Sequence, residues 1–261
     1  MAKVPRALLT MLEARAGIEA GTSLLAWPIL RRAPLGDGHP VLLLPGFGAG
    51  DVSMEPLRWF LASRNYHVES WGLGRNRGFS RKVSNVIEQK VRYLNHKHRR
   101  KVSLVGWSLG GVFAFYAAHV VPECVRCVIS LGSPLRLDPD TRPPPGVSAM
   151  YRAISGNVGP LAHQARSRSR SMRAPPPVPS TCIYSESDGF VPPSQATLEG
   201  DPADHENVCV PSSHMGLGFN GVVLWVVADR LAQHEGEWHP YRPVGAIAPA
   251  LRMLGLRAAS S

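Results

Sequence analysis

The run Val102–Trp107, the turn Ser108-Leu109-Gly110-Gly111 and the apolar stretch Val112–Val120 constrain this chain more than any other segment. A short apolar run reads as a strand buried on both faces, and the longer run after it reads as a helix. Gly106-Trp107-Ser108-Leu109-Gly110 therefore sits where a strand turns directly into a helix. Gly-x-Ser-x-Gly recurs by chance, so the pattern alone says little. Its setting is that of a nucleophile elbow, in which the turn is tight and strained and the serine stands proud of it. Glycines on either side leave room where a Cβ would collide with the neighbouring strand and helix. The following helix N-terminus aims backbone N–H groups at developing negative charge. The plain alternative is a strand-to-helix turn rich in small residues.

The remainder of the chain repeats this alternation. Residues 5–30 have helical apolar spacing, and Pro28 and Pro34 interrupt its end. This stretch is expected to pack on the core, with a membrane-surface position as the alternative. Val41–Leu44 reads as a buried strand stopped by Pro45-Gly46-Phe47-Gly48. A helix is predicted near 54–64, a strand near Tyr66–Trp71, a helix over 80–98 and a strand over Val125–Leu131. Strands at Thr181–Tyr184 and Asn207–Val210 precede a last helix near 219–233. Alternating strands and helices imply a mostly parallel sheet covered on both faces. The division expected is an N-terminal helical segment, 1–35, and one α/β domain, 36–261. An insertion over about 136–179 is rich in proline and carries Arg166-Ser167-Arg168-Ser169-Arg170-Ser171.

A serine at such a turn needs a base and an orienting acid, which follow it in the chain order Ser, Asp or Glu, His, after later strands. Asp188 lies in the loop after the strand ending at Tyr184, and His214 in the loop after the strand ending at Val210. Glu186, beside Asp188, and Asp138, after an earlier strand, are rival acids. His205 precedes its strand, at the wrong end for catalysis, and the other histidines, His39 included, read as structural or surface residues. Two backbone N–H groups are needed to hold an oxyanion. The residue after the serine, Leu109, supplies one, and Phe47 in the loop after the first core strand is chosen for the other. Trp107 and Met215, neighbours of the serine and the histidine, are expected to touch substrate.

Leu-Leu-Pro-Gly-Phe, Gly-Trp-Ser-Leu-Gly-Gly, Ser-Asp-Gly-Phe-Val-Pro and Ser-Ser-His-Met-Gly together resemble the α/β-hydrolase superfamily, particularly its small lipases and carboxylesterases. The resemblance runs from about His39 to Ala232. Pro45-Gly46 stands where many lipases carry His-Gly. The resemblance implies an α/β-hydrolase fold with a reduced sheet of about six parallel strands and a lid at the 136–179 insertion. It also implies ester hydrolysis by Ser108, Asp188 and His214, with no metal and no cofactor. An acyltransferase or thioesterase with the same triad, and a non-catalytic binding protein on the same fold, are the alternatives.

The net charge of +10 over 261 residues speaks to solubility and encounter rather than to fold. It would draw the chain to an anionic membrane surface or simply keep it dissolved. A nucleic-acid partner is not expected, because no binding motif accompanies the charge. The basic end of the 80–98 helix has a structural reason in the helix dipole. Cys124, Cys127, Cys182 and Cys209 lie in or beside apolar runs and read as buried structural thiols. No apolar stretch is long enough to span a bilayer. Glu13 and Arg15 cut short the apolar run that begins at Ala7, which argues against a signal peptide. A cytoplasmic enzyme acting on a small-molecule or lipid ester, peripheral to a membrane at most, is the expectation; the sequence does not specify an oligomeric state.

Overall fold

The apolar runs pair into one sheet. In the structure, a computed structural model that describes residues 10–78, 80–136, 175–199 and 204–243, the strands are β1 (Pro40–Leu44), β2 (His67–Ser70), β3 (Val102–Trp107), β4 (Val125–Leu131), β5 (Ser180–Tyr184) and β6 (His205–Cys209). The six strands lie in the order β2-β1-β3-β4-β5-β6, and every pairing is parallel. Parallel neighbours need crossovers, which α2 (Glu55–Ser63), α3 (Arg81–His98) and α4 (Leu109–Val120) supply for the first four strands; α1 (Ala16–Leu25) precedes the sheet, α5 (Gly221–Leu231) follows it, and single helical turns lie at Trp27–Leu30 and Pro193–Ala196.

Strand periodicity divides the core into two layers. Val41 and Leu43 of β1 pack with α2 and α5 on one face, and Leu42 and Leu44 pack with α3 and α4 on the other. The chain order reverses between β1 and β3. In an open parallel sheet the crevice beyond the strand ends at that point is where ligands bind. Ser108 follows β3 and the 45–50 loop follows β1, so both lie at this crevice.

Two differences from the sequence reading stand out. No residue of α1 is buried, and its Ile18, Leu24 and Leu25 point outward, Leu25 being 83% exposed. The segment meets the body through polar side chains, because there it faces loops full of backbone N–H donors rather than an apolar surface. The basic end of α3 is tied into the fold: Lys97 pairs with Glu69 at 3.2 Å, Arg100 with Asp37 at 2.5 Å and Lys101 with Glu235 at 3.0 Å. The lid, its arginine run and Asp138 fall outside the described residues. No described helix is long and apolar enough to cross a membrane, and none of the cysteines is in a disulfide.

At the opposite end of the sheet from Ser108 lies a polar row with a buried middle and an exposed end at Asp37. Cys127 Sγ donates to Ser103 Oγ at 3.3 Å, Ser103 Oγ donates to His39 Nε2 at 2.7 Å, and His39 Nδ1 donates to Asp37 Oδ1 at 2.6 Å. The order of residues resembles a catalytic relay, but Ser103 and His39 are fully buried, and no substrate reaches them. Burial, and then the charge of Arg126, push the His39 imidazole down to about 4, although the bond to Asp37 opposes this. Burial raises the Asp37 carboxyl, but hydrogen bonds from Arg126 and His39 outweigh it and hold the group well below the usual carboxylate range.

This row makes the fold acid-sensitive. The unfolded chain takes up a proton at His39 as pH falls below about 6.5, whereas the folded chain resists until about 4. Stability is therefore complete above the unfolded value and lost between the two, by about 3 kcal/mol. Protonation of Asp37 adds a further loss at lower pH. In His39→Gln the drop in denaturation free energy between pH 7 and pH 4 should shrink by most of this amount. An unchanged drop would remove His39 from the account.

Candidate active site

Ser108 adopts φ 53° and ψ −121°, outside the helical and extended regions. Such backbone costs on the order of 1–3 kcal/mol and persists only where the surroundings impose it. Here they do. A Cβ on Gly106 would lie 2.4 Å from the carbonyl of Gly110, and a Cβ on Gly110 would lie 2.0 Å from the carbonyl oxygen of Leu44. Strand β3 and helix α4 thus cross so closely that the residue between them must turn sharply. The Ser108 N–H donates to the Leu131 carbonyl at 2.8 Å, and the Gly111 N–H donates to the Ser108 carbonyl at 3.0 Å.

The loop after β5 fixes Asp188. Its Oδ1 accepts from the N–H groups of Phe190 at 2.7 Å and Val191 at 2.8 Å, which leaves Oδ2 for another partner. That partner is His214, whose Nδ1 lies 2.7 Å from Oδ2. Both side chains are buried, so the contact is not weakened by water. With Nδ1–H donated to the carboxylate, Nε2 is left as the basic nitrogen. The ring of Phe190 meets the imidazole edge-on at 5.2 Å. The pair lies over the end of β4: a Cβ on Gly132 would stand 3.0 Å from Asp188 Oδ2 and 3.2 Å from His214 Nδ1. Leu131, the residue before it, accepts from the Ser108 amide at 2.8 Å, so the serine turn and the histidine–aspartate pair border the same strand end.

The loop after β1 closes the other side. A Cβ on Gly46 would be 3.3 Å from Ser108 Cβ. Buried Asn76 holds this loop in shape: its Nδ2 donates to the Pro45 carbonyl at 2.8 Å, its N–H to Ala49 O at 2.7 Å, and its carbonyl accepts from Gly48 N at 2.7 Å. Phe47 packs its side chain against the α3–α4 layer of the core. Leu109 is the first residue of α4, where a backbone N–H has no acceptor one turn earlier in its own helix.

Other expected residues fall differently. Trp107 is buried, and its indole N–H donates to the His214 carbonyl at 3.0 Å, so it anchors the histidine loop from below. Met215 is 42% exposed at the rim. Glu186 is exposed, and the acid bonded to the imidazole is Asp188. Sequence reasoning missed Asn76, Glu13 and Glu19. Asn76 carried one weak signal, a lone amide in a glycine-rich loop. Glu13 and Glu19 carried another, carboxylates within an otherwise apolar segment.

A strained serine backed by a buried His–Asp contact and flanked by a helix N-terminus can attack an acyl carbonyl and stabilise the oxyanion that forms. A search of curated proteins found no match in sequence. Solved structures do match in fold. Aspergillus fumigatus lipase B superposes with a TM-score of 0.58 at 18% identity, over 77% of this chain and 54% of that one. One of the metagenome-derived lipolytic enzymes LipS and LipT gives 0.58 at 17%, over 77% and 96%. The thioesterase domain from the curacin biosynthetic pathway gives 0.52 at 15%, over 76% and 93%. At these identities the likeness is one of fold. The family model for the alpha/beta hydrolase fold matches residues 20–174, most of the chain's length, and the chain belongs to that family.

Proposed function

We propose that this protein is a serine hydrolase that cleaves carboxylic esters, with Ser108 as nucleophile, His214 as base and Asp188 as the acid that orients it. The observation that carries the reading is the 2.7 Å contact between His214 Nδ1 and Asp188 Oδ2, both buried beside the strained turn at Ser108. His214 Nε2 takes the proton of the Ser108 hydroxyl as Oγ attacks the ester carbonyl. The N–H groups of Leu109 and Phe47 receive the oxyanion. The proton passes from His214 to the departing alkoxide, which leaves as the alcohol. Water, deprotonated by His214, then releases the carboxylic acid and restores Ser108. No metal or cofactor enters these steps.

The same atoms would accept a thioester, or pass the acyl group to an alcohol or amine in place of water. Choice among these lies in the groups around the crevice. The net charge of +10 and the outward Ile18, Leu24 and Leu25 suit a lipid ester met at an anionic surface. A panel of nitrophenyl esters of increasing acyl length, run beside the matching thioesters and with an added alcohol acceptor, tests the reading. Oxygen esters should turn over with acid as the main product. Turnover of thioesters alone, or product found mainly on the acceptor, would move the assignment to the thioesterase or acyltransferase alternatives.

A further inference from the structure

The N-terminal segment holds the two catalytic loops together through carboxylates. Glu13, only 7% exposed, lies in the turn Leu12–Arg15. Its Oε1 accepts from the Gly189 N–H at 2.8 Å and from the His214 N–H at 3.0 Å, and its Oε2 accepts from the Met215 N–H at 3.0 Å. Gly189 directly follows Asp188. One carboxylate oxygen therefore joins the backbone beside the acid to the backbone of the base. Arg15 and Thr10 reinforce the acid side: Arg15 donates to the Ser187 carbonyl at 3.1 Å and to Ser187 Oγ at 2.6 Å, and Thr10 Oγ1 donates to Gly189 O at 3.1 Å.

Glu19 holds the base loop alone, one step upstream of His214. Its Oε1 accepts from the Ser213 N–H at 2.7 Å, and its Oε2 accepts from Ser212 Oγ at 2.7 Å and Asn220 Nδ2 at 3.1 Å. Burial raises the Glu19 carboxyl, but the bonds from Ser212, Asn220 and Ser213 outweigh it and keep it ionised. The fit is close enough to restrict the sequence opposite: a Cβ on Gly216 would lie 2.0 Å from Glu19 Oε2. Loops that already touch through His214–Asp188 and through Ser187 Oγ, which donates to the Ser212 carbonyl at 3.3 Å, are thus fixed as well to one external element.

We propose that Glu13 is a positioning residue of the acid–base pair, and that the 10–19 segment is part of the catalytic apparatus rather than a leader to it. The proposal rests on the serine-hydrolase reading for its consequence in rate, but not for its consequence in structure. A carboxylate at this place lets both loops keep charge-assisted hydrogen bonds without contact with water. Without it the N–H groups of Gly189, His214 and Met215 lose their acceptor and the loops lose their common anchor. Displacement of a catalytic group by about 1 Å costs on the order of 100-fold in rate.

Three full-length variants test this: Glu13→Ala, Glu13→Gln, and Glu206→Gln as a control. Glu206 is a buried carboxylate paired with Arg230 at 3.1 Å, in the strand β6 remote from the crevice. On a short soluble ester, Glu13→Ala should lower kcat by about 100-fold with KM little changed. Glu13→Gln keeps an oxygen for Gly189 and His214 and should stay within about tenfold of wild type. Glu206→Gln should lower the melting midpoint yet leave kcat near wild type. A second readout does not need turnover. The downfield proton on His214 Nδ1, hydrogen-bonded to Asp188, should be visible by NMR in wild type and Glu13→Gln and lost to exchange in Glu13→Ala. If wild type turns over no ester, the hydrolase reading fails while the NMR comparison still decides on Glu13. If Glu13→Ala keeps both the wild-type kcat and the downfield proton, the proposal is overturned.

Discussion

Ser108→Ala should lower kcat for a short-chain ester by roughly four to six powers of ten while leaving the protein folded. The alanine keeps the Cβ that the turn already accommodates and removes only the hydroxyl. In the proposed mechanism, loss of Oγ leaves no group to form an acyl-enzyme and no nucleophile for His214 and Asp188 to serve. What remains is binding and the oxyanion donors acting on water, which in triad enzymes retains a thousandfold or so over solution. A five-power loss corresponds to about 7 kcal/mol of barrier, more than any effect expected from packing at this site. The melting midpoint should match or slightly exceed that of wild type, since catalytic groups are held in place at a cost to stability. Loss of activity together with a lower midpoint would show that the variant had damaged the fold instead.

Gly110→Ala should have the largest effect on stability. Its Cβ would lie 2.0 Å from the carbonyl oxygen of Leu44 and 2.6 Å from its carbonyl carbon. These are backbone atoms of β1 at its junction with the 45–50 loop, in the middle of the sheet. They cannot turn aside as a side chain would, so α4 must lift away from β1 and β3. A loss of at least about 4 kcal/mol is expected, among the largest for a single substitution. That is a large share of the stability of an ordinary domain, about 5–15 kcal/mol. Gly17→Ala is the matched comparison. Nothing lies within 4 Å of a Cβ there, and the position is inside helix α1. The added methyl should stabilise by about 0.5–1 kcal/mol. Urea denaturation of both variants checks the pair; a Gly110→Ala protein within about 1 kcal/mol of wild type would mean that β1 and α4 are less tightly apposed than described.

How much of this was legible in the sequence follows from how local each feature is. Strand β3 and the serine turn were legible because the apolar run, the flanking glycines and the helix after them are consecutive in the chain. The strands at Val125–Leu131 and near residues 181 and 207 could be read for the same reason, from short β-branched runs bounded by turns. Asp188 and His214 were legible as residues just past such strands, although nothing in the sequence measured their separation. The role of Trp107 was not legible: from its place beside Ser108 it was expected at the substrate, whereas its indole turns beneath the His214 loop. The N-terminal segment misled for a similar reason. Its apolar spacing suggested a face packed on the core, which holds at its end, where Leu30 is buried and Trp27 meets Phe60, but residues 13–19 are bound by backbone N–H groups at Gly189, Ser213, His214 and Met215. Donors of that kind leave no trace in residue type. Glu13, noted in the sequence as the charge that interrupts an apolar run, is the residue that those donors explain.

The arrangement has two chemically similar rows of residues, and their positions separate their roles. Asp37, His39 and Ser103 sit at the N-terminal ends of β1 and β3, with His39 and Ser103 fully buried and His39 held neutral. Asp188, His214 and Ser108 sit at the opposite ends, where the change of strand order opens the sheet. Strain distinguishes them as well: Ser108 has φ 53°, whereas Ser103 lies within strand β3 and has no positive φ. The proposal of Ser108 rather than Ser103 as nucleophile rests on access and backbone geometry rather than on the presence of a histidine and an aspartate.

The most direct measurement of the central claim is covalent labelling by a fluorophosphonate, followed by mass spectrometry of the peptides. The account predicts one adduct per chain, on Ser108, and no adduct in Ser108→Ala. Absence of labelling in the folded wild-type protein, or an adduct on another serine that persists in Ser108→Ala, would contradict it.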